Sequence, residues 1–248
     1  MKDDTVKIAY YGVSAFRITT AAGKKILIDP YITGNPLCQK EPDYFSDVDL
    51  VLVSHGAFDH LGDAVTILKA SGAVLMAGGY DVCRYAMEKG VPEERMVKTI
   101  YGDKKEIEGI QIRSVYARHG SKLDGEQGSY YGMPMGFVIR TENNIRIYHG
   151  GDTSLFGDMQ IISRLYRPNI FLVGVGSVSE GYAFEMEPRE AALAAQWIAP
   201  EIAIPMHYPP GADNPQAFRD ALEIIAPEVE AVLLEPNTEI TYHKYRIE

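Results

Sequence analysis

The stretch V-S-H-G-A-F-D-H-L-G-D-A fills positions 53–64, between the apolar run V-D-L-V-L-V at 48–53 and a segment with helical spacing. A buried strand over 50–53 runs into Ser54-His55, and Leu61, Ala64, Val65 and Leu68 then mark a helix over 61–70. The loop of this strand–loop–helix unit carries His55, Asp59 and His60, three side chains of the kinds that ligate divalent metals. Between them stand Ala57 and Phe58, which can ligate nothing.

Upstream, β-rich runs at 6–11, 15–20 and 25–28 are punctuated by Gly12 and Ala22-Gly23. Asp29-Pro30 ends the third, because Pro donates no ladder hydrogen bond, and 31–45 reads as a loop. Downstream, a strand over 73–76 precedes a helix over 80–89 that Gly90 closes. A second β-rich block follows at 97–101, 105–107, 110–117, 135–140 and 145–148, with Asn143-Asn144 as the last hairpin turn. Helices over 159–165, 188–198 and 216–225 then alternate with strands over 170–175, 202–206 and 229–234, before a closing strand over 239–243. Two strand blocks, each with its own helices, predict an α/β fold of two sheets face to face with helices outside, as one domain over 1–248. A doubly wound Rossmann sheet is the alternative, weakened because no G-x-G-x-x-G follows the first strand.

The chain has 248 residues, is 46% hydrophobic and 23% charged, and carries a formal net charge of -10. That balance argues against a long nucleic-acid partner, since counterion release needs clustered Lys and Arg. No run approaches the roughly 20 apolar residues of a membrane span, and Met1-Lys2-Asp3-Asp4 has no signal-peptide form. Cys38 and Cys83 form no framework of spacings and read as free thiols, so the expected location is cytoplasmic. The expected partner is a small-molecule substrate, with no nucleic acid and no membrane; a homo-oligomer is left open.

Six histidines can be placed one by one. His55, His119, His149 and His207 each follow a predicted strand, and strand ends in α/β layers gather at one edge where catalytic loops hang. Asp59 and His60 share the loop of His55, and Asp152 follows His149 in H-G-G-D-T. Taken singly, Asp59 and Asp152 could be helix or turn caps and His60 a surface residue. Taken together, imidazoles and carboxylates on one edge point to a transition-metal site, with oxygen donors tilting it toward manganese or iron.

These residues resemble the metallo-β-lactamase superfamily, most closely its small metal-dependent hydrolases near ascorbate-6-phosphate lactonase. The blocks that carry the resemblance are Y-Y-G-V-S-A-F (10–16), I-L-I-D-P-Y (26–31) with T-G-N-P (33–36), 54–64, 148–159, and I-P-M-H-Y (204–208). The resemblance implies an αββα sandwich with the site on one edge. It implies metal ligands His55, Asp59, His60, His119, Asp152 and His207, with Asp152 bridging two ions. It further implies that Asp29 orients a ligand imidazole, and that His149 is a neighbour of the site. Two positions depart from the family: the second His of H-x-H-x-D-H is Ala57, and the Gly-His-Ser of the first turn is Gly12-Val13-Ser14. Phe58 and Val13 favour natural divergence over a single engineered change at Ala57.

By this mapping the first site keeps His55, His119 and Asp152, and the second keeps Asp59, His60, Asp152 and His207. The expectation is one or two divalent ions, zinc first and manganese or iron as alternatives, in a mononuclear or unevenly filled centre. A metal-bound hydroxide would attack a small ester, lactone or phosphoester, oriented by Asp59 or Asp152 as catalytic carboxylates. Tyr208 and Lys122 are candidate substrate contacts. Asp124, Glu126, Glu180, Glu185 and Glu187 are candidate replacements for the missing His. Two other readings stand beside the hydrolase: a phosphodiesterase or nuclease, and a degenerate binding scaffold, the latter favoured if the Phe58 ring fills the vacated position.

Overall fold

The computed structural model describes residues 4–78, 80–178 and 185–244. Strands β1 (Thr5–Tyr10), β2 (Phe16–Thr20) and β3 (Lys25–Ile28) lead to β4 (Leu50–Val53), helices α1 (Phe58–Leu61) and α2 (Ala64–Ala70), β5 (Val74–Gly78), α3 (Asp81–Glu88) and β6 (Met96–Thr99). The second half holds β7 (Lys104–Ile107), β8 (Ile110–Tyr116), a hairpin of β9 (Lys122–Gly125) and β10 (Gly128–Tyr131), β11 (Met135–Arg140) and β12 (Arg146–His149). It continues through α4 (Met159–Tyr166), β13 (Ile170–Gly174), α5 (Pro188–Ile198), β14 (Ile202–Met206), α6 (Asn214–Ile225), β15 (Glu230–Ala231) and β16 (Thr238–His243).

Two seven-stranded sheets result, ordered β16-β1-β2-β3-β4-β5-β6 and β15-β14-β13-β12-β11-β8-β7. Each is mixed. β3 through β6 run parallel, as do β12 through β15, and the rest pair antiparallel.

Strand parity explains the layers. In β4, Leu50 and Leu52 face the opposing sheet while Val51 and Val53 face α2 and α3. In β13, Ile170 and Leu172 face the sheet interface while Phe171 and Val173 lie under α4–α6. A strand covered on both faces needs an unbroken apolar run, which is what these segments are. The arrangement is the expected αββα sandwich, and the Rossmann alternative is excluded.

Three local expectations are corrected. The helix expected over 61–70 is split at Gly62, whose φ of +43° and contact with Pro30 leave no room for a side chain: an added Cβ would lie 2.3 Å from the Pro30 carbonyl oxygen. The strand expected over 229–234 shrinks to the two residues of β15, at a sheet edge where β14 is its one partner. The hairpin β9–β10 was not foreseen, because only Leu123 and Tyr130 among its strand residues are buried.

Candidate metal centre

The parallel strands and their neighbours deliver the polar residues to one edge. Asp29 follows β3, His55 follows β4, His119 lies beyond β8, Asp152 lies three residues past the end of β12, and His207 follows β14. Three of the residues that build this edge hold a left-handed backbone although none is glycine: Val13 at φ +54°, Asp29 at +45° and His207 at +58°. Such conformations persist only where surrounding contacts over-determine them. Here His207 donates its backbone N–H to the Val13 carbonyl at 2.7 Å, and Asp29 donates its own to Leu52 at 2.9 Å. The departure at Val13 therefore acts through its main chain, which props the loop of His207.

Asp152 is the hub. Its Oδ2 lies 3.0 Å from His60 Nε2, 3.2 Å from His207 Nε2, 3.9 Å from His119 Nε2 and 4.0 Å from His55 Nε2. Asp59 Oδ2 is 3.5 Å from His207 Nε2. His55, His60, Asp59, Asp152 and His207 are all buried, and His119 is half-buried at the cavity wall.

Far-side hydrogen bonds set which ring nitrogen carries the proton. His60 Nδ1 donates to Asp29 Oδ2 at 2.8 Å. His207 Nδ1 donates to the Gly176 carbonyl at 2.8 Å. Ser54 Oγ gives its hydrogen to Asp29 Oδ2 at 2.7 Å, so it accepts from His55 Nδ1 at 3.0 Å. In each neutral ring the Nε2 lone pair is left facing Asp152. Nε2 of His55, His60 and His207 and Oδ1 of Asp152 are buried with no hydrogen-bond partner. Each such orphan costs about 1–3 kcal/mol unless something satisfies it. Converging lone pairs and carboxylates are what a divalent cation satisfies, so the residues fit a metal. Three sets of donor atoms each fall within 4.8 Å, His55–His119–Asp152, Asp59–His60–His207 and Asp152–Glu185–His207.

The charges agree. Burial would raise Asp152, but His207 and His60 pull it well below the usual carboxylate range. Burial and the nearby His60 push His55 down to about 3. Burial also works against charge on His207, yet Asp152 and Asp59 outweigh it and hold the ring at about 9.

His149 is no donor to this centre. Its Nε2 meets the Ser14 carbonyl at 3.2 Å and its Nδ1 accepts the Gly151 N–H at 3.1 Å, so both nitrogens are spent inside the fold. Tyr208 packs on the core near Tyr10, ring centroids 6.4 Å apart, and is not among the residues lining the cavity. Lys122 does line it, but pairs with Asp124 at 3.1 Å. Phe58 is 67% exposed and meets the edge of Tyr31, so its ring does not fill the position beside Ala57.

Of the acids considered as replacements, Asp124 is exposed and paired with Lys122, and Glu126 is exposed and paired with Lys89 at 2.8 Å. Glu187 caps α5. Glu180 lies outside the described residues. Among the described acids of this set, Glu185 alone is brought to the centre, grouped with Asp152 and His207.

The centre opens into a cavity of about 1110 Å³. Phe58, Leu61, Tyr85 and Leu123 form apolar wall, and Arg118 brings a guanidinium with no ion-pair partner among the described residues. Sequence reasoning missed Arg118, although it directly precedes His119. The hairpin is stitched to the signature loop: Gly56 donates to Ser121 Oγ at 2.7 Å and accepts from the Lys122 N–H at 2.9 Å, while Ser121 donates to Asp81. A side chain at Gly56 would collide with Asp81 and Leu123, each 2.7 Å from an added Cβ.

Residues 24–208 match the family described as Beta-lactamase superfamily domain. The chain belongs to this superfamily. Among its relatives is a UPF0173 metal-dependent hydrolase of Methanopyrus kandleri, 43% identical over 236 residues that make up 93% of this chain and 97% of the relative. Another, from Pyrococcus horikoshii, is 39% identical over 241 residues, 95% of this chain and 99% of that one. Igni18, a metallo hydrolase from Ignicoccus hospitalis, superposes with a TM-score of 0.81 at 30% identity over 97% of this chain and 100% of its own. The metallo-beta-lactamase fold protein YhfI of Bacillus subtilis shares the fold, with a TM-score of 0.72 at 14% identity over 96% and 100% of the two chains. The chain is thus a member of the metal-dependent hydrolases of the beta-lactamase superfamily, as the signature loop implies. No helix among the described residues is long and apolar enough to cross a membrane.

Proposed function

We propose that this protein hydrolyses a small ester, lactone or phosphoester in the cytoplasm, at a metal centre held by His55, Asp59, His60, His119, Asp152 and His207. The observation that carries this reading is the set of three buried imidazoles whose far nitrogens are tied, leaving their Nε2 atoms turned toward Asp152. A divalent ion in such a setting acts as a Lewis acid, making bound water more acidic and polarising a carbonyl or phosphoryl oxygen.

The chain's own groups do the rest. Asp59 lines the cavity and lies 3.5 Å from His207, where its carboxylate can accept a hydrogen bond from water, orient it and take its proton. Asp152 lies between the two donor groups and holds them at one spacing. Phe58, Tyr85 and Leu123 offer apolar surface to the non-reacting part of the substrate, and Arg118 offers a bidentate donor to an anionic group. Ala57 puts a methyl group where the resemblance expects imidazole, which leaves the His55–His119 side one nitrogen short and favours uneven filling. The degenerate-scaffold reading loses its support, because Phe58 points outward. Free Cys38 and Cys83 are in keeping with a reducing compartment.

The test is metal analysis of purified protein alongside a panel of lactones, nitrophenyl esters and bis(4-nitrophenyl) phosphate. About one tightly held divalent ion per chain is expected, with turnover in one substrate class. Protein that takes up no divalent metal under any loading condition sinks the reading.

A further inference from the structure

Glu185 reaches the centre for reasons that lie in its immediate neighbours. Met186 is anchored at 1% exposure in the core beneath α4–α6. Glu187 is fixed in a capping box with Glu190, its backbone N–H donating to Glu190 Oε2 at 3.0 Å. With Met186 anchored toward the core and the helix start locked, Glu185 is turned to the cavity, which it lines. Its carboxylate falls within 4.8 Å of the donor atoms of Asp152 and His207, and its Oε2 is buried with no hydrogen-bond partner. Two independent observations, proximity to the centre and an orphaned oxygen, thus coincide on one side chain.

We propose that Glu185 is a further carboxylate ligand of the ion held by Asp59, His60, Asp152 and His207, and that it biases the centre toward manganese or iron over zinc. This rests on the metal-centre reading above. Five donors exceed the four that zinc prefers in a closed tetrahedral site. Loss of an imidazole at Ala57 and gain of a carboxylate at Glu185 both shift the donor balance from nitrogen to oxygen, and harder oxygen donors suit manganese. Glu185 groups with Asp152 and His207 and not with His55 and His119, so it does not repair the gap at Ala57.

The experiment compares wild type with Glu185→Gln, which keeps shape and removes the anionic donor, by chelator competition with manganese alone and zinc alone. Manganese affinity is expected to fall by about tenfold or more and zinc affinity by less. Cobalt-loaded wild type is expected to show the weak visible bands of a five- or six-coordinate ion, strengthening in the variant. Equal losses for both metals, or no loss, overturn the inference. If the variant fails to fold, the wild-type cobalt spectrum decides alone: intense tetrahedral bands overturn it and weak bands support it. Wild type that binds no metal fails the metal-centre reading and this inference together, whereas a metal-binding wild type matched by its variant fails this inference only.

Discussion

Asp29 Oδ2 accepts a hydrogen bond from His60 Nδ1 at 2.8 Å with both side chains fully buried, and the same carboxylate holds Ser54 by its backbone N–H at 2.7 Å and its hydroxyl at 2.7 Å. One carboxylate at the end of β3 thereby sets the proton position of His60 directly and of His55 through Ser54. Burial would raise its pKa, but the charge and hydrogen bond of His60 keep it below the ordinary carboxylate value.

Asp29→Asn therefore tests tautomer control. Asn tolerates the left-handed backbone at this position and can still accept from the Ser54 N–H. Its NH₂ would face His60 Nδ1 and drive the ring proton to Nε2. The expected result is a folded protein whose metal affinity falls by about 10–100-fold in chelator competition. Unchanged affinity would remove Asp29 from the site.

Ala57→His tests the gap. Ala57 is the N-cap of α1 without a side-chain cap bond, and it lines the cavity, so the change sacrifices no hydrogen bond. Metal content measured by mass spectrometry is expected to rise from about one ion per chain toward two. A variant with wild-type stoichiometry would show that the His55–His119 side is limited by something other than its ligand count.

Metal-free protein should show a stability maximum near pH 6.5. His207 is held up to about 9 by Asp152 and Asp59 against burial, so its contribution is complete below about 6.5 and lost as pH rises through 9. His55 is pushed down to about 3 by burial and by His60, so stability is instead lost as pH falls below about 6.5. Melting temperature is expected to drop by about 5 °C or more between pH 6.5 and 9. Asp152→Asn, which removes the anion that raises His207, should flatten that alkaline decline. A metal-free wild type whose melting temperature climbs over the same interval would contradict the assignment.

Arg118 should govern recognition of charge. With no ion-pair partner among the described residues, its guanidinium is available to a carboxylate or phosphate on the substrate. Arg118→Met is expected to raise KM about tenfold for an anionic ester while leaving kcat, and the KM of a neutral ester, near wild type. Equal effects on both esters would make Arg118 structural.

Much of this protein is legible in local pattern. Unbroken apolar runs such as 50–53 and 170–173 specify strands covered on both faces, and short connections after such strands put His55, Asp152 and His207 near strand ends. Strand position is a local property, so residue order alone was enough for the sandwich and for the edge where polar residues gather. The hairpin over 122–131 escaped because its polar strands bury a single residue each, and the break at Gly62 because it depends on Pro30, 32 residues away.

The direction of a loop side chain is not local, and there only the tertiary structure decided. Strand-end spacing alone does not separate His149 from the other histidines; the resemblance makes it a neighbour of the site, and in the fold Ser14 and Gly151 occupy both its nitrogens. Tyr208 was drawn into the core, and Phe58 turned outward against Tyr31. Five acids were equal in sequence, yet pairing with Lys122 and Lys89 holds Asp124 and Glu126 at the surface while a buried Met186 turns Glu185 to the centre. Sequence determined which residue types come to the edge, through short-range spacing. The packing of one sheet's loops against the other's determined which atoms face each other there.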